Sequence, residues 1–596
     1  MDRKRVIGSF VLGLVASTAA FAQAPGDVLA ELKISDEAGG LGATLDDFGR
    51  FGSAVAAIGD LDGDGNPDLV VGAHRDPGGG PPGAERGAVW VLFLHADGTV
   101  KAEQKISDTH GGFTGGLDDG DLFGSAIGAL GDFDGDGVVD VVVGAPEDDD
   151  GGPPGSDRGA LWLLFLNTDG TVKAHKKISD TAGGFSGALG DEERFGISVA
   201  PLGDFDGDGV GDLATGALFD DDGGPKQGAV WLLFLNADGT VKAHKKISAT
   251  QGGFGGDLDG NDRFGRSVSC LGDLDGDGVD DLAVGAVLDD DGGPPGSNRG
   301  AVWVLFLNAD GTVKAETKIS STSGGFSGDL DDHDLFGLAS AAPGDLDGDG
   351  TRDLVVGAPR DDDGGPDRGA AWVLFLRSDG TVRGHVKIAA GSGGFVGPLS
   401  DGDELGTALA VVDGLALGGK LALANGAHLD DDGGPDRGAI WIQALDGLEP
   451  AAVTFYGCGV NPPGSLTVLA GVPSIGTTIT LGVDNPLGTQ AAGSLPFLGL
   501  AFQPDPAFPC GTLVPGFGMA GPGASGEQLI PSGPPLLFTG PPWSGPGSPA
   551  PFDLAVPDDP GLLGVSVYAQ GLLFDPTAAF GVIFGLTEAA ELLVGP

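Results

Sequence analysis

Basic residues are scarce in this chain. Across 596 residues, 31 Lys and Arg stand against 86 Asp and Glu, a formal net charge of −55. So negative a surface repels polyanions, which excludes nucleic acid and anionic membrane as partners. Long apolar runs are missing as well. The run from Val6 to Ala20 is too short to span a bilayer comfortably, so no membrane insertion is expected. With Arg3, Lys4 and Arg5 before it and small Ala20, Ala22 and Ala24 at its end, it reads as a cleavable signal peptide over residues 1–24. An uncleaved anchor is the alternative. The mature protein is expected to be secreted or at a cell surface, the periplasm included. Cysteines number three. Cys270 takes a place held by small residues elsewhere, which suits a buried small hydrophobe. Cys458 and Cys510 can pair in an oxidising compartment, a cross-link worth about 4 kcal/mol in the chain-entropy picture. Aromatics are few (7%) while glycines number 115, which favours short strands and turns over helices.

What the chain has in abundance is self-similarity. Phe-Gly recurs at Phe51, Phe123, Phe195, Phe264 and Phe336, with Leu405-Gly406 sixth. Trp recurs at Trp90, Trp162, Trp231, Trp303, Trp372 and Trp441, and both series step by 69 or 72 residues. Each unit reads as four strands: FGSAVAAIG, then DLVVGA, then AVWVLFL, then TVKAEQKIS after an HADG-type turn. Six such units over 29–448 predict an all-β fold, a β-propeller of six blades, with seven blades the alternative and a β-solenoid the runner-up. The KIS strand follows five tryptophan strands and not the sixth, while a sixth copy, ELKIS, precedes the first Phe-Gly. The N-terminal strand is therefore expected to complete the last blade and remove an open edge. Residues 451–596 have no Lys or Arg, many Pro, and no repeat. They read as a small C-terminal β-sandwich-like domain tied by Cys458 and Cys510, with a surface or partly disordered loop over Pro531–Pro551.

Between the first two strands of a unit lies GDLDGDGNPD, with Asp at alternate positions and glycines that allow tight winding. Four carboxylates so close repel one another unless a hard cation sits among them, and calcium takes six to eight such oxygens at flexible geometry. The predicted ligands are Asp60, Asp62, Asp64 and Asp68, with the Asn66 carbonyl; Asp132, Asp134, Asp136 and Asp140; Asp204, Asp206, Asp208 and Asp212; Asp273, Asp275, Asp277 and Asp281; and Asp345, Asp347, Asp349 and Asp353. The sixth unit keeps only Asp413 and should bind nothing. About five Ca2+ ions are expected, in a structural role; magnesium demands a stricter octahedron.

Phe-Gly, DxDxDGxxD and VGA in this order resemble the FG-GAP repeat of integrin alpha-subunit propellers and related bacterial secreted proteins, over about 420 residues. The resemblance implies calcium in the Asp loops and a ligand approaching the opposite face; integrin propellers have seven blades, so six is a departure. That opposite face carries the DDDGGP loops (Asp148–Asp150, Asp220–Asp222, Asp289–Asp291, Asp361–Asp363, Asp430–Asp432) and the blade crossings. Its Asp runs are expected to be solvated or paired with Arg86, Arg158, Arg299, Arg368 and Arg437. No aromatic or unit-specific residue marks a pocket there, the tryptophans read as core, and His175, His244 and His385 read as an exposed strand face because Glu103 and Glu316 replace them. No catalytic motif is present: there is no nucleophile elbow, HExxH, phosphate loop or CxxC. The sequence thus reads as a calcium-binding adhesion or ligand-binding module, not an enzyme, with an extracellular protein or glycan as partner. A secreted polysaccharide- or phosphoester-cleaving enzyme and a structural surface-layer protein are the alternatives.

Overall fold

A computed structural model describes residues 25–594 apart from 416, 418–420, 448–451, 457, 459, 475–476, 507–509, 531–535, 557–564 and 579–581. The expected signal peptide and the start of the Pro-rich run lie outside the described residues. Every regular element among the described residues is a strand, and none is a helix long and apolar enough to cross a membrane.

An N-terminal strand, β1 (Val28–Ile34), precedes the first repeat, which is β2 (Phe51–Gly59), β3 (Asp68–Ala73), β4 (Ala88–Leu94) and β5 (Val100–Ile106). These four pair antiparallel in chain order. β3 and β4 are buried on both faces, as sequences without polar alternation must be. β5 is the half-open outer strand. Four further sheets repeat the pattern. They are β6–β9 (Ala126–Gly131, Asp140–Ala145, Ala160–Leu166, Val172–Ile178) and β10–β13 (Phe195–Gly203, Asp212–Ala217, Ala229–Leu235, Val241–Ser248). Then come β14–β17 (Phe264–Gly272, Asp281–Ala286, Ala301–Leu307, Val313–Ile319) and β18–β21 (Ser340–Gly344, Asp353–Ala358, Ala370–Leu376, Val382–Ala389). The last sheet holds β22 (Leu405–Val412), β23 (Leu421–Ala427) and β24 (Ala439–Leu445), and its fourth strand is β1. β1 lies antiparallel to β24, with Ile34 opposite Ile440 and Val28 opposite Leu445. The start of the chain thus covers the edge that β24 would otherwise leave open.

The Phe-Gly and Gly-Ala dipeptides hook one sheet to the next. Gly87 bridges to Phe123, and equivalent bridges follow at each junction until Gly438 returns to Phe51. A Cβ added to Gly72 would sit 2.1 Å from the carbonyl oxygen of Gly124, and one on Gly426 would sit 2.1 Å from that of Gly52. Only glycine permits this approach. Each hook passes to the following sheet and the sixth returns to the first, so the sheets close around an axis lined by the innermost strands. The tryptophans lie in the hydrophobic clusters between neighbouring sheets, as expected.

Toward the C-terminus a five-stranded sheet (Ala452–Tyr456, Phe584–Leu593, Ser566–Phe574, Leu495–Ala501, Leu536–Thr539) packs on a three-stranded one (Leu466–Ala470, Thr478–Val483, Ala550–Ala555). Leu481, Val483, Leu498, Ala569, Leu592 and Trp543 fill the space between, the layering of a sandwich. Cys458 and Cys510 form a disulfide with Cα atoms 5.1 Å apart. Cys270 is a half-buried free thiol packed on the core.

Candidate metal centres and the loop-rich face

Asp60 opens the first loop. Its Oδ1 accepts the N–H groups of Gly63 and Asp64 at 2.8 and 2.9 Å, and its Oδ2 accepts that of Gly65 at 2.7 Å. Gly63 and Gly65 supply the left-handed turns this winding needs, at φ +79° and +91°. Asp68, wholly buried at the head of β3, closes the loop by accepting the N–H groups of Leu61 (2.9 Å) and Leu94 (3.0 Å). The bond to Leu94 fastens the loop to the end of β4, which puts the Asp loop and the HADG turn on one face.

The winding brings carboxylates together. One oxygen from each of Asp60, Asp62 and Asp68 lies within 4.8 Å of the other two. The same holds for Asp132, Asp134 and Asp136; for Asp204, Asp206 and Asp212; and for Asp273, Asp275 and Asp281. The fifth loop winds alike: Asp345 accepts the Gly350 N–H at 2.8 Å and Asp353 the Leu346 N–H at 2.8 Å. Burial raises Asp68 and Asp212 above the usual carboxylate range, lifts Asp140 and Asp281 to about 6, and lifts Asp353 to about 8. A cation beside such groups favours their charged form and opposes the effect of burial.

One cation is the protein's own. Lys101 on β5 reaches across to Asp62 (2.9 Å) and Asp64. Lys173 does the same to Asp134 and Asp136, Lys242 to Asp206 and Asp208, Lys314 to Asp275 and Asp277, and Arg383 to Asp347 and Asp349. Hydrogen bonds from these lysines hold Asp64, Asp136, Asp208 and Asp277 below the ordinary carboxylate range. Sequence reasoning passed over these five residues, although a signal existed. In β1, which serves the sheet without an Asp loop, VLAELKI stands where β5 has VKAEQKI, so Leu29 replaces Lys101. Loop and base occur together or not at all. Four carboxylates against one ammonium still leave each loop strongly negative, and the hard-oxygen donor set fits a divalent cation such as calcium.

The opposite face differs from expectation in three ways. The Asp runs pair with lysines of the outer strands, not with the arginines. Lys177 lies between Asp148 (2.7 Å) and Asp150 (2.9 Å), and Lys318 between Asp289 (2.6 Å) and Asp291 (2.9 Å). Each of these lysines also rests over a core tryptophan, Lys177 at 5.1 Å from the Trp162 ring. The arginines hold the blade crossings instead: Arg86 binds Asp108 and Asp119, and Arg158 binds Asp180 and Asp191. Nor are the histidines a bare strand face. His175 packs 5.1 Å from Phe113 and 5.3 Å from Trp162 and hydrogen-bonds Thr114, and burial lowers its pKa. The ring is half-buried, and Glu103 and Glu316 hold the equivalent place in two units. Finally, unit-specific residues do mark this face. Around the axis Arg50, Arg194, Arg263, Arg266 and Phe219 break the repeat.

The FG-GAP repeat family model matches residues 51–92, 123–164, 195–233, 264–305 and 337–374, so the chain carries five FG-GAP repeats. It is integrin alpha-like over that stretch. Integrin alpha pat-2 of Caenorhabditis briggsae is 32% identical over 246 residues, 39% of this chain and 17% of that protein. Integrin alpha-4 of Xenopus laevis is 32% identical over 177 residues, 30% and 15% respectively. Integrin alpha-PS2 of Drosophila melanogaster is 29% identical over 285 residues, 47% and 18%. The chain thus spans less than a fifth of the length of these relatives. A structure of the Photorhabdus luminescens Tc holotoxin pore aligns with 77% of this chain and 16% of that one at 15% identity and TM-score 0.34, too loose a likeness to carry an argument.

Proposed function

We propose that the chain is an exported, calcium-binding propeller that acts as a non-catalytic adhesion or ligand-binding module for an extracellular protein or glycan. The observation that carries this reading is the repeated gathering of Asp60, Asp62 and Asp68 and their counterparts within 4.8 Å, on the repeats the integrin relatives share. About five calcium ions, one per Asp loop, stiffen one face. The face with the crossings and DDDGGP loops is left to bind, as long loops on a rigid scaffold commonly do.

Extracellular calcium modules bind at about 10⁻³ M. At roughly ten times that concentration each site adds about 1.4 kcal/mol, and five add about 7 kcal/mol. Calcium titration by calorimetry is expected to give about five ions per chain, and EDTA is expected to lower Tm sharply. An unchanged melting curve in excess EDTA overturns the metal assignment. A glycan and matrix-protein array with and without calcium tests the rest: saturable, calcium-dependent binding without turnover is expected, and release of product would make the chain an enzyme.

A further inference from the structure

We infer that the mouth of the propeller axis on the loop-rich face is a binding site for an oxyanion headgroup (carboxylate, sulfate or phosphate) presented by the ligand of that face. It deepens the ligand-binding reading above, resting on it for the choice of face and not for the metal.

The site is built from positions where the six units ought to agree and do not. The residue before each Phe-Gly, or before Leu405-Gly406 in the sixth unit, adopts a left-handed conformation, with φ between +56° and +60°, three residues ahead of the one that lines the axial opening; it is Arg50, Leu122, Arg194, Arg263, Leu335 and Glu404 in turn. The residue after each Phe-Gly lines the axial opening. There Ser53, Ser125, Ile197, Leu338 and Thr407 are uncharged, and Arg266 alone carries a charge. The second residue beyond each Gly-Ala adds Arg75 and Arg360 in two units and Phe219 in a third.

These cations are under-compensated. Arg75 pairs with Glu85 (3.3 Å), Arg194 with Glu147 (2.5 Å) and Arg360 with Glu404 (3.0 Å). Among the described residues Arg50, Arg263 and Arg266 form no salt bridge; Asp436, Glu404 and Glu85 lie near enough to Arg50 to favour its charge, whereas the charged groups acting on Arg263 and Arg266 are other arginines. Arg194 and Arg263 instead stack on Phe219, at 4.9 and 5.0 Å from its centroid, and Lys226 caps the same ring at 4.4 Å. The Nε groups of Arg50, Arg75, Arg194 and Arg263 are buried with no hydrogen-bond partner, as is Nδ1 of His74. Arg266 is half-buried at the opening; burial, then Arg263 and Arg194, lowers it to about 10. His74 and His428 sit with ring centroids 6.3 Å apart. Burial, together with the guanidiniums of Arg50, Arg75 and Arg266, holds both well below the ordinary histidine range, and they stay neutral.

A protein of net charge −55 gains nothing structural by gathering half-buried guanidiniums without salt bridges around one opening. Arg263 and Arg266 are partly desolvated with no carboxylate paired to them. An oxyanion supplies what is missing, since guanidinium forks match its geometry bidentately. The opening at the inner strands holds about 80 Å³, room for several waters and so for a headgroup but not for a whole sugar or helix. Elsewhere the surface repels anions, so the axis is where an acidic ligand is held.

The test uses the full chain at constant ionic strength, with inorganic sulfate, inorganic phosphate and citrate titrated separately against chloride by calorimetry and thermal shift. Saturable binding of at least one of them is expected, and which of the three binds best names the headgroup. R266Q and R263Q are each expected to weaken it at least tenfold while leaving the calcium-induced rise in Tm intact. R266Q is also expected to melt higher than wild type without anion, because it removes a half-buried charge that no carboxylate compensates; a merely structural arginine would do the reverse. No saturation with any of the three anions, or equal affinity in both variants, overturns the inference. Calcium response is recorded on the same samples, so failure of the metal reading shows itself separately.

Discussion

Replacing Lys101 by Met separates the two cations that can serve an Asp loop. The variant removes an ammonium from Asp62 and Asp64 and leaves every carboxylate in place. A divalent ion and an ammonium about 5 Å apart repel by about 1.7 kcal/mol even at the dielectric constant of water. Without the lysine, calcium should therefore bind that loop roughly 15-fold more tightly. In EDTA the sign reverses. The ion pair is solvent-screened and contributes little, so the metal-free variant melts only slightly below wild type. Substituting Lys173, Lys242, Lys314 and Arg383 as well should enlarge both effects. Calorimetric calcium titration and melting curves in EDTA and in excess calcium read them directly, and the gap between the two curves must widen. An affinity that is unchanged or weaker, or a gap that narrows, refutes the idea that the lysine holds a place the ion takes over.

Two further outcomes follow from the blades themselves. A Cβ on Gly144 would lie 2.0 Å from the carbonyl oxygen of Gly196, so G144A should cost about 3 kcal/mol in denaturant unfolding; a midpoint like wild type would mean that the hook between sheets is slack. Burial lifts Asp121, Asp262 and Asp334 to about 7. Folded values above the unfolded one of about 4 mean that their stabilising effect is full below about pH 4 and is lost as pH rises through about 7. D121N should therefore lose less stability than wild type between about pH 5 and 8, and a steeper loss in D121N would reverse the sign of this argument.

Much of the propeller was legible because a repeat states the same constraint several times. The double-sided burial of β3 and β4, the tight Asp loops and the borrowed strand β1 all follow from register alone. What escaped the reading did so for two physical reasons. Lys101 meets Asp64 only after the β4–β5 hairpin folds back, so its role is invisible along the chain, even though Leu29 in the loop-less unit betrays it. The lysines under the DDDGGP loops were hidden in the same way: Lys177 is fixed by Trp162 and by two aspartates in a loop that precedes its strand.

The axial residues escaped for the opposite reason. Comparing units brings out what all of them share, whereas Arg266 and Phe219 each occur in one unit and the arginine of Arg50, Arg194 and Arg263 in only three. In a ring of equivalent sheets, residues at equivalent places meet around the axis, and a shared residue there faces several copies of itself. Six arginines would repel one another, and six leucines would simply close the opening. Only unlike residues can build a site for a ligand that has no sixfold symmetry. Conserving the repeat therefore serves the scaffold, in hooks such as Gly72 against Gly124 and in the Asp loops, while breaking it serves recognition. The Asp loops occur in five sheets and their chemistry is the same each time, which suits a stiffening role. The guanidinium of Arg266 occurs once, without a salt bridge and lining the opening, where a single acidic group on an incoming ligand would find its counter-charge.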